Sequence, residues 1–295
     1  MSDPSLMKVI YRSLKKKKEI SWHKVHSFKE SLAYAFVKPR KYRSFHVVSC
    51  QKNAGEATLK CLESVYNQQY KRSLVKHVYI DDASTDATNE LIVKWLSDHP
   101  GHNVEYIRNE TNMGGCANNL KGFRLAPSGS IILEVNGDDR LPDPGVITYL
   151  NKVYEDPDVW MTYNSFKATN GFYLACKPIT EDTTLSNNYR DKMELGRHLH
   201  SFRQELFSHL DEEALIDPQT GEYFISGDDQ AFYYSLQELA GIHARHLYRT
   251  TYIYNFNGFG TDYGNTSDQE DRVRRILQKR PYKPLELLRH IDSHR

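Results

Sequence analysis

At 295 residues the chain is long enough for one large α/β domain or two small ones, with ample capacity to bury a core. A hydrophobic share of 39%, with 20 tyrosines, excludes an extended disordered chain and fits a globular protein with aromatic-rich clefts. The net charge of +1 hides a division, because residues 1–43 carry +9 and the rest carries −8: a basic arm precedes an acidic body.

Lys15 to Lys18 open that arm's charge run. Clustered cations attract polyanions over about a Debye length, so the run suits anionic lipid or an acidic partner. A solvated terminus explains it with less, and no nucleic-acid partner is expected. Cys50, Cys61, Cys116 and Cys176 show neither a C-x-x-C pair nor metal-finger spacing, which points to a reducing compartment. No apolar run approaches the roughly 20 residues that span a bilayer, and the lysine-rich start lacks a signal peptide's apolar stretch. The chain reads as cytoplasmic, with its basic termini as the means of any peripheral membrane contact.

From Ser44 onward short β-branched runs alternate with helical periodicity, which predicts βαβ units and a mostly parallel sheet. Phe45 to Val48 is the first strand, and Ala57, Cys61, Leu62 and Val65 recur at helix spacing after it. His77 to Ile80 is the second strand, closed by the capping and turn residues 81–86 before a helix through Leu91, Ile92, Trp95 and Leu96. Val104 to Ile107 gives a third strand, Cys116 to Leu125 a third helix, and Ser130 to Val135 a fourth strand. Pro142 and Pro144 stop and restart the chain before a helix with Val146, Ile147, Leu150 and Val153 on one face. Trp160 to Tyr163 is the next strand candidate.

Residues 164–222 lose clear alternation, apart from a predicted helix over Met193 to Leu210, and acceptor recognition is placed there. Regular pattern resumes with a strand at Glu222 to Ile225, a helix to Leu239 and a strand-like Leu247 to Tyr254. The end, from Arg272, is basic, and its stripe of Val273, Ile276 and Leu277 suits docking onto the domain. The expected division is a basic arm at 1–43, halves at 44–163 and 164–262, and a basic helical tail at 263–295.

Four segments stand at predicted strand ends: Cys50 to Asn53, Asp81-Asp82, Asn136 to Asp139, and Ser226 to Asp229. Parallel strands bring such ends to one crevice, where open α/β sheets bind their ligands. The adjacent acids Asp138 and Asp139, directly after an apolar run, place hard oxygen ligands there and suit a metal-diphosphate group.

The order of these segments over residues 45–163 resembles a family 2 glycosyltransferase of the GT-A fold. The family's L-x-S-V-x-x-Q-x-Y helix is similar to Leu62 to Tyr70, and its V-D-D-G-S-T-D-x-T loop resembles Ile80 to Thr88. Its N-x-G-x-x-x-A-x-N segment is similar to Asn112 to Asn119 with altered spacing, and its L-D-A-D-D motif resembles Val135 to Asp139. The family's P-T-Y-N-like turn keeps only Asn53 of its pattern.

The resemblance implies an α/β, GT-A nucleotide-diphospho-sugar transferase fold with a mostly parallel central sheet and flanking helices. It implies a nucleotide-sugar donor, with UDP as the expected nucleotide, and an acceptor hydroxyl on a glycan, lipid or protein. Cys50, Gln51 and Asn53 would line the nucleoside pocket, Asp81 would accept from the base, and Asp82, Asn136 and Gly137 would complete the donor site. Asp138 would hold Mn2+ or Mg2+ with Asp139 in support; Asn136 stands where the family commonly has Asp, which weakens the site's charge. Asp228-Asp229 occupies the place of the family's E-D pair, with Asp229 as general base and Asp228 its neighbour. The family's later metal-ligating His has no counterpart, since that turn offers Asn255 and Asn257.

Plainer roles exist for each: Asp81 and Asp82 as caps of the next helix, 136–139 as a structural turn, and Asp228-Asp229 as acids favoured at a helix start. His198/His200 and His243/His246 have zinc-like spacings but no companion cluster in the sequence, which favours surface or core histidines. A sugar nucleotidyltransferase would need a Gly- and Arg/Lys-rich triphosphate loop after the first strand, where only Lys52 and Gly55 stand. A degenerate, sugar-binding scaffold is favoured by Asn136 and the altered first turn and opposed by Asp81, Asp138, Asp139 and Asp229. A dinucleotide-binding Rossmann protein lacks its G-x-G-x-x-G.

Overall fold

The computed structural model describes residues 39–174, 176–225, 227–256 and 266–288, together with Trp22, 24–30 and Tyr34. The Lys15 to Lys18 run lies outside the described residues. The helical segment α1 (24–30) is tied to the domain, because Glu30 accepts the backbone N–H groups of Tyr248 and Arg249, both at 2.8 Å.

Strand β1 (Phe45–Gln51) is buried almost throughout, as a central parallel strand must be when helices cover both faces. It lies between β2 (Val75–Asp81) and β4 (Ile131–Glu134), parallel to both, and β3 (Val104–Arg108) pairs parallel with β2 on the far side. Beyond β4 come β8 (Arg197–Arg203), antiparallel, then β5 (Met161–Asn164) and β9 (Ala244–Leu247). The seven-strand order is therefore β3-β2-β1-β4-β8-β5-β9. A small second sheet joins β6 (Phe166–Ala168), β7 (Tyr173–Leu174) and β10 (Ile253–Tyr254).

Alternation along β1 divides the core. Phe45 and Val47 face a layer containing α2 (Ala57–Tyr66), α3 (Thr88–Asp98) and α5 (Val146–Val153), through Leu62, Trp95, Ile147 and Leu150. Val48 faces the other layer, where α4 (Gly114–Arg124) and α8 (Asp228–Ala240) contribute Leu120, Phe123, Phe232 and Leu236. Helix α9 (Thr266–Gln278) packs on the second layer through the fully buried Ile276.

Three expectations are corrected. The helix over Met193 to Leu210 is instead strand β8 followed by the short helix α7 (Gln204–Phe207). Its Arg-His-Leu-His-Ser-Phe-Arg run sends Leu199 to one core layer and Phe202 to the other, so pairing with β4 and β5 overrides local preference. The strand-like Leu247 to Tyr254 divides between β9 and β10 in different sheets. Glu222 to Ile225 makes only an isolated bridge, from Tyr223 to Ile216.

The core buries several histidines. His77 Nε2 lies 2.9 Å from Ser49 Oγ, and burial pushes its imidazole down to about 3; burial also lowers His46, His198 and His200. An unfolded imidazole titrates near ~6.5, so below that pH the unfolded chain takes up protons that the native core refuses. Stability therefore falls as pH drops from about 6.5, by up to ~1.4 kcal/mol per pH unit for each such histidine. Asp139, pushed up to about 7 by burial and then by Asp138, works in the opposite direction. The urea midpoint is expected to be lower at pH 5 than at pH 7.5, and replacing His77 by Asn should flatten that decline.

Candidate active site

The carboxyl ends of β1, β2 and β4 meet at one edge, with Gln51 in register with Asp81. Their following turns are tied together: Asp82 N–H donates to Gln51 O at 3.0 Å and Gly137 N–H to Cys50 O at 3.2 Å. Asn53, in the left-handed region at φ 55°, donates its N–H to Ser84 Oγ at 2.9 Å and accepts from Thr85 N–H at 2.9 Å. The Cys50 thiol points inward and donates to Asn119 Oδ1 at 3.3 Å.

The two acids of the second turn have different roles. Asp81 is 0% exposed; its Oδ1 accepts from Ser84 N–H and its Oδ2 from the Tyr106 hydroxyl at 3.0 Å, with Arg108 Nε 3.4 Å away. Asp82 accepts from Asn109 Nδ2, Met113 N–H and Gly114 N–H at 2.7–2.9 Å. It thus satisfies the start of α4 and not that of α3, where Asp86 accepts from Thr88 N–H at 3.0 Å.

In the third turn Asp139 is 1% exposed, while Asp138 is half-buried. Asp139 Oδ2 accepts from the Tyr252 hydroxyl at 2.6 Å and Oδ1 from Asn255 N–H at 2.6 Å, and Asn136 Nδ2 lies 3.4 Å from Oδ2. Asn255 therefore bonds to Asp139 through its backbone, and Asn257 lies outside the described residues. Tyr79 hydroxyl donates to Gly137 O at 2.9 Å, and a Cβ on Gly137 would stand 2.5 Å from Tyr79 Oη and 2.8 Å from Gln51 Cβ. Gly137→Ala is expected to cost about 1–3 kcal/mol through this overpacking and to weaken donor binding; thermal unfolding and a donor titration check both.

Asp229 lies half-buried in the first turn of α8, after Gly227 at φ 75°, where α9 closes in: Ile276 Cδ1 is 3.2 Å from the Gly227 Cβ position. Burial lowers the proton affinity of His198, and the Asp229 charge works against that shift. The His198 ring stacks on Tyr252 with centroids 5.1 Å apart, and Tyr252 in turn bonds to Asp139. Asp139, Tyr252 and His198 thus form one contiguous set beside the 136–139 turn. The side chain of Asp228 and Ser226 lie outside the described residues, as does 257–265.

The zinc-like spacing of His198 to His200 does not mark His198, or Tyr252, as a neighbour of Asp139; their place follows from β10 and β8 packing against the 136–139 turn. Two cavities, of about 430 and 390 Å³, lie elsewhere: one against β9 beside Tyr163 and His243, the other at the opposite sheet edge beside Val75 and Val104.

The glycosyl transferase family 2 model matches residues 46–211, more than half of the chain. The chain belongs to glycosyl transferase family 2. The matched segment holds all three turns but ends before Asp228-Asp229. Among solved structures, S. aureus TarS 1–349 in complex with UDP-GlcNAc is 19% identical, with a TM-score of 0.62 over 79% of this chain and 65% of that one. TarS 1–349 with UDP gives 18%, 0.58, 79% and 64% in the same order. The mannosyltransferase PcManGT from Pyrobaculum calidifontis in complex with GDP-Man and Mn2+ gives 15%, 0.53, 84% and 68%. These likenesses show the GT-A fold, and the chain spans about two thirds of the length of TarS 1–349. No match is found among curated proteins.

The third turn offers two hard carboxylates whose proximity is unfavourable while both are ionised, since the Asp138 charge helps to raise Asp139. That donor set fits a divalent cation, which relieves the repulsion. Among the described residues no helix is long and apolar enough to cross a membrane.

Proposed function

We propose that the chain is a metal-dependent, inverting glycosyltransferase that moves a sugar from a UDP-sugar to an acceptor hydroxyl on a glycan, lipid or protein. The turn carrying Asp138 and Asp139 supports this reading, because Tyr252 and Asn255 fix it at the carboxyl end of β4, where a parallel sheet binds its ligands, and it offers hard oxygen ligands there.

In this reading residues 44–163 form the donor half and 164–262 the acceptor half. Asp138 holds Mn2+ or Mg2+, with Asp139 behind it, kept in place by Tyr252 and Asn255. A bound divalent ion supplies positive charge to a diphosphate leaving group. The turn of Cys50, Gln51 and Asn53 lines the nucleoside, with Gly137 allowing close approach and Asn136 steadying the ribose side. Asp81 reads the base, for which its closed-off carboxylate must be uncovered from the Ser84, Tyr106 and Arg108 groups that now engage it. Asp82 supports the site by anchoring α4.

Asp229 removes the proton of the acceptor hydroxyl as it attacks the anomeric carbon from the face opposite the diphosphate, and inversion follows. All four cysteines are buried and none forms a disulfide, which agrees with the cytoplasmic location proposed with this function.

A panel of nucleotide sugars with and without Mn2+ tests the donor. At a hundred times its dissociation constant the right one stabilises the chain by about 2.7 kcal/mol, and slow UDP release should accompany it. Stabilisation without UDP release in the presence of varied acceptors would favour a sugar-binding scaffold, and no stabilisation by any of them would contradict the proposal.

A further inference from the structure

We propose that Glu134, His198 and His200 form a second cation site, separate from the Asp138 turn, that takes a zinc ion. The antiparallel register of β4 and β8 pairs Leu133 with Ser201, which brings Glu134 alongside His200, and the His198 ring lies 5.1 Å from that of His200 between centroids. One donor atom from each lies within 4.8 Å of the others, and no other group of three potential ligands among the described residues comes as close.

The donor chemistry selects the ion. Two imidazoles and a carboxylate suit zinc, whereas Mg2+ prefers oxygen ligands throughout. The surroundings are those of a finished site. Asn119 Nδ2 donates to Glu134 Oε1 at 2.6 Å and the Tyr233 hydroxyl donates to Oε2, orienting the carboxylate. His200 Nε2 faces the Gly196 carbonyl at 3.1 Å, so a proton there leaves the Nδ1 lone pair for a metal.

His200 is 2% exposed, and its Nδ1, like that of His198, is buried without a hydrogen-bond partner among the described residues. His46 and His77 also bury an unpartnered Nδ1, but neither belongs to a three-ligand group. Both rings are clamped, His200 on Tyr233 with centroids 3.4 Å apart and His198 on Tyr252. A zinc ion here pins the end of β4 to the start of β8 beneath the 136–139 turn.

The test reads metal content and is independent of sugar transfer. The full chain is stripped with chelator, equilibrated with Zn2+ alone, freed of excess and assayed for bound metal. About one zinc per chain is expected in the wild type and in Asp138→Asn, and none in His198→Gln or His200→Gln. Asn119→Ala, which keeps all three ligands, should weaken zinc binding by about 10–100-fold. Because a histidine variant can fail to fold, Co2+ replaces zinc in the wild type as a second readout, with the intense visible absorption of a four-coordinate N/O site expected. A wild-type chain that retains no zinc overturns the proposal. So does zinc that is lost in Asp138→Asn but kept in folded His198→Gln and His200→Gln.

Discussion

Asp229→Asn is expected to lower the rate of sugar transfer by about 10²–10⁴-fold while leaving donor affinity in place. The amide keeps the volume of the carboxylate but cannot take a proton from the acceptor hydroxyl. Asp229 is half-buried at the start of α8, so the substitution disturbs neither core layer. An acid at a helix start contributes roughly 0.3–1 kcal/mol to stability, so a residue with that role alone would lose a little stability and no rate. Initial rates at saturating donor, beside a donor titration, separate the two. Asp228→Asn is the comparison: if it abolishes transfer and Asp229→Asn does not, the base is Asp228.

Arg190→Met is expected to destabilise the fold by about 3–5 kcal/mol, lowering the melting temperature by roughly 10 °C. Arg190 grips Glu238 on α8 through Nε at 2.5 Å and Nη2 at 2.9 Å, and the Glu238 side chain is 0% exposed. The pair also organises the C-terminal segment, since Arg190 Nη1 donates to Ile276 O at 2.6 Å and Glu238 Oε2 accepts from Tyr282 N–H at 3.0 Å. Removing the guanidinium strands a carboxylate in the core; Arg190→Met/Glu238→Leu should recover most of the loss. The exposed Lys94–Asp98 pair is the control, with Lys94→Ala changing stability by less than ~1 kcal/mol. Thermal and urea unfolding measure all of these.

The first half of the fold is legible because its contacts are those that periodicity encodes. Val47 and Val48 alternate between two helical layers, and Leu62 and Val65 recur on one face of α2. Strand β8 is not legible, since its place between β4 and β5 depends on partners far away in the chain. The same distinction holds at the site. Asp138 and Asp229 stand in recognisable motifs, whereas Glu134, His198 and His200 meet only through the β4–β8 register. Asp82 reads as a donor contact beside Asp81, yet its oxygens are engaged by Met113 and Gly114, a pairing that no local spacing announces.

The most direct measurement is a crystal structure with UDP-sugar and Mn2+, using anomalous scattering to place the metal. The account predicts manganese on Asp138, the diphosphate across the ends of β1 and β4, and the Asp229 carboxylate facing the anomeric carbon from the side opposite the diphosphate. Metal and diphosphate bound away from Asp138, or Asp229 turned away from the sugar, would contradict it.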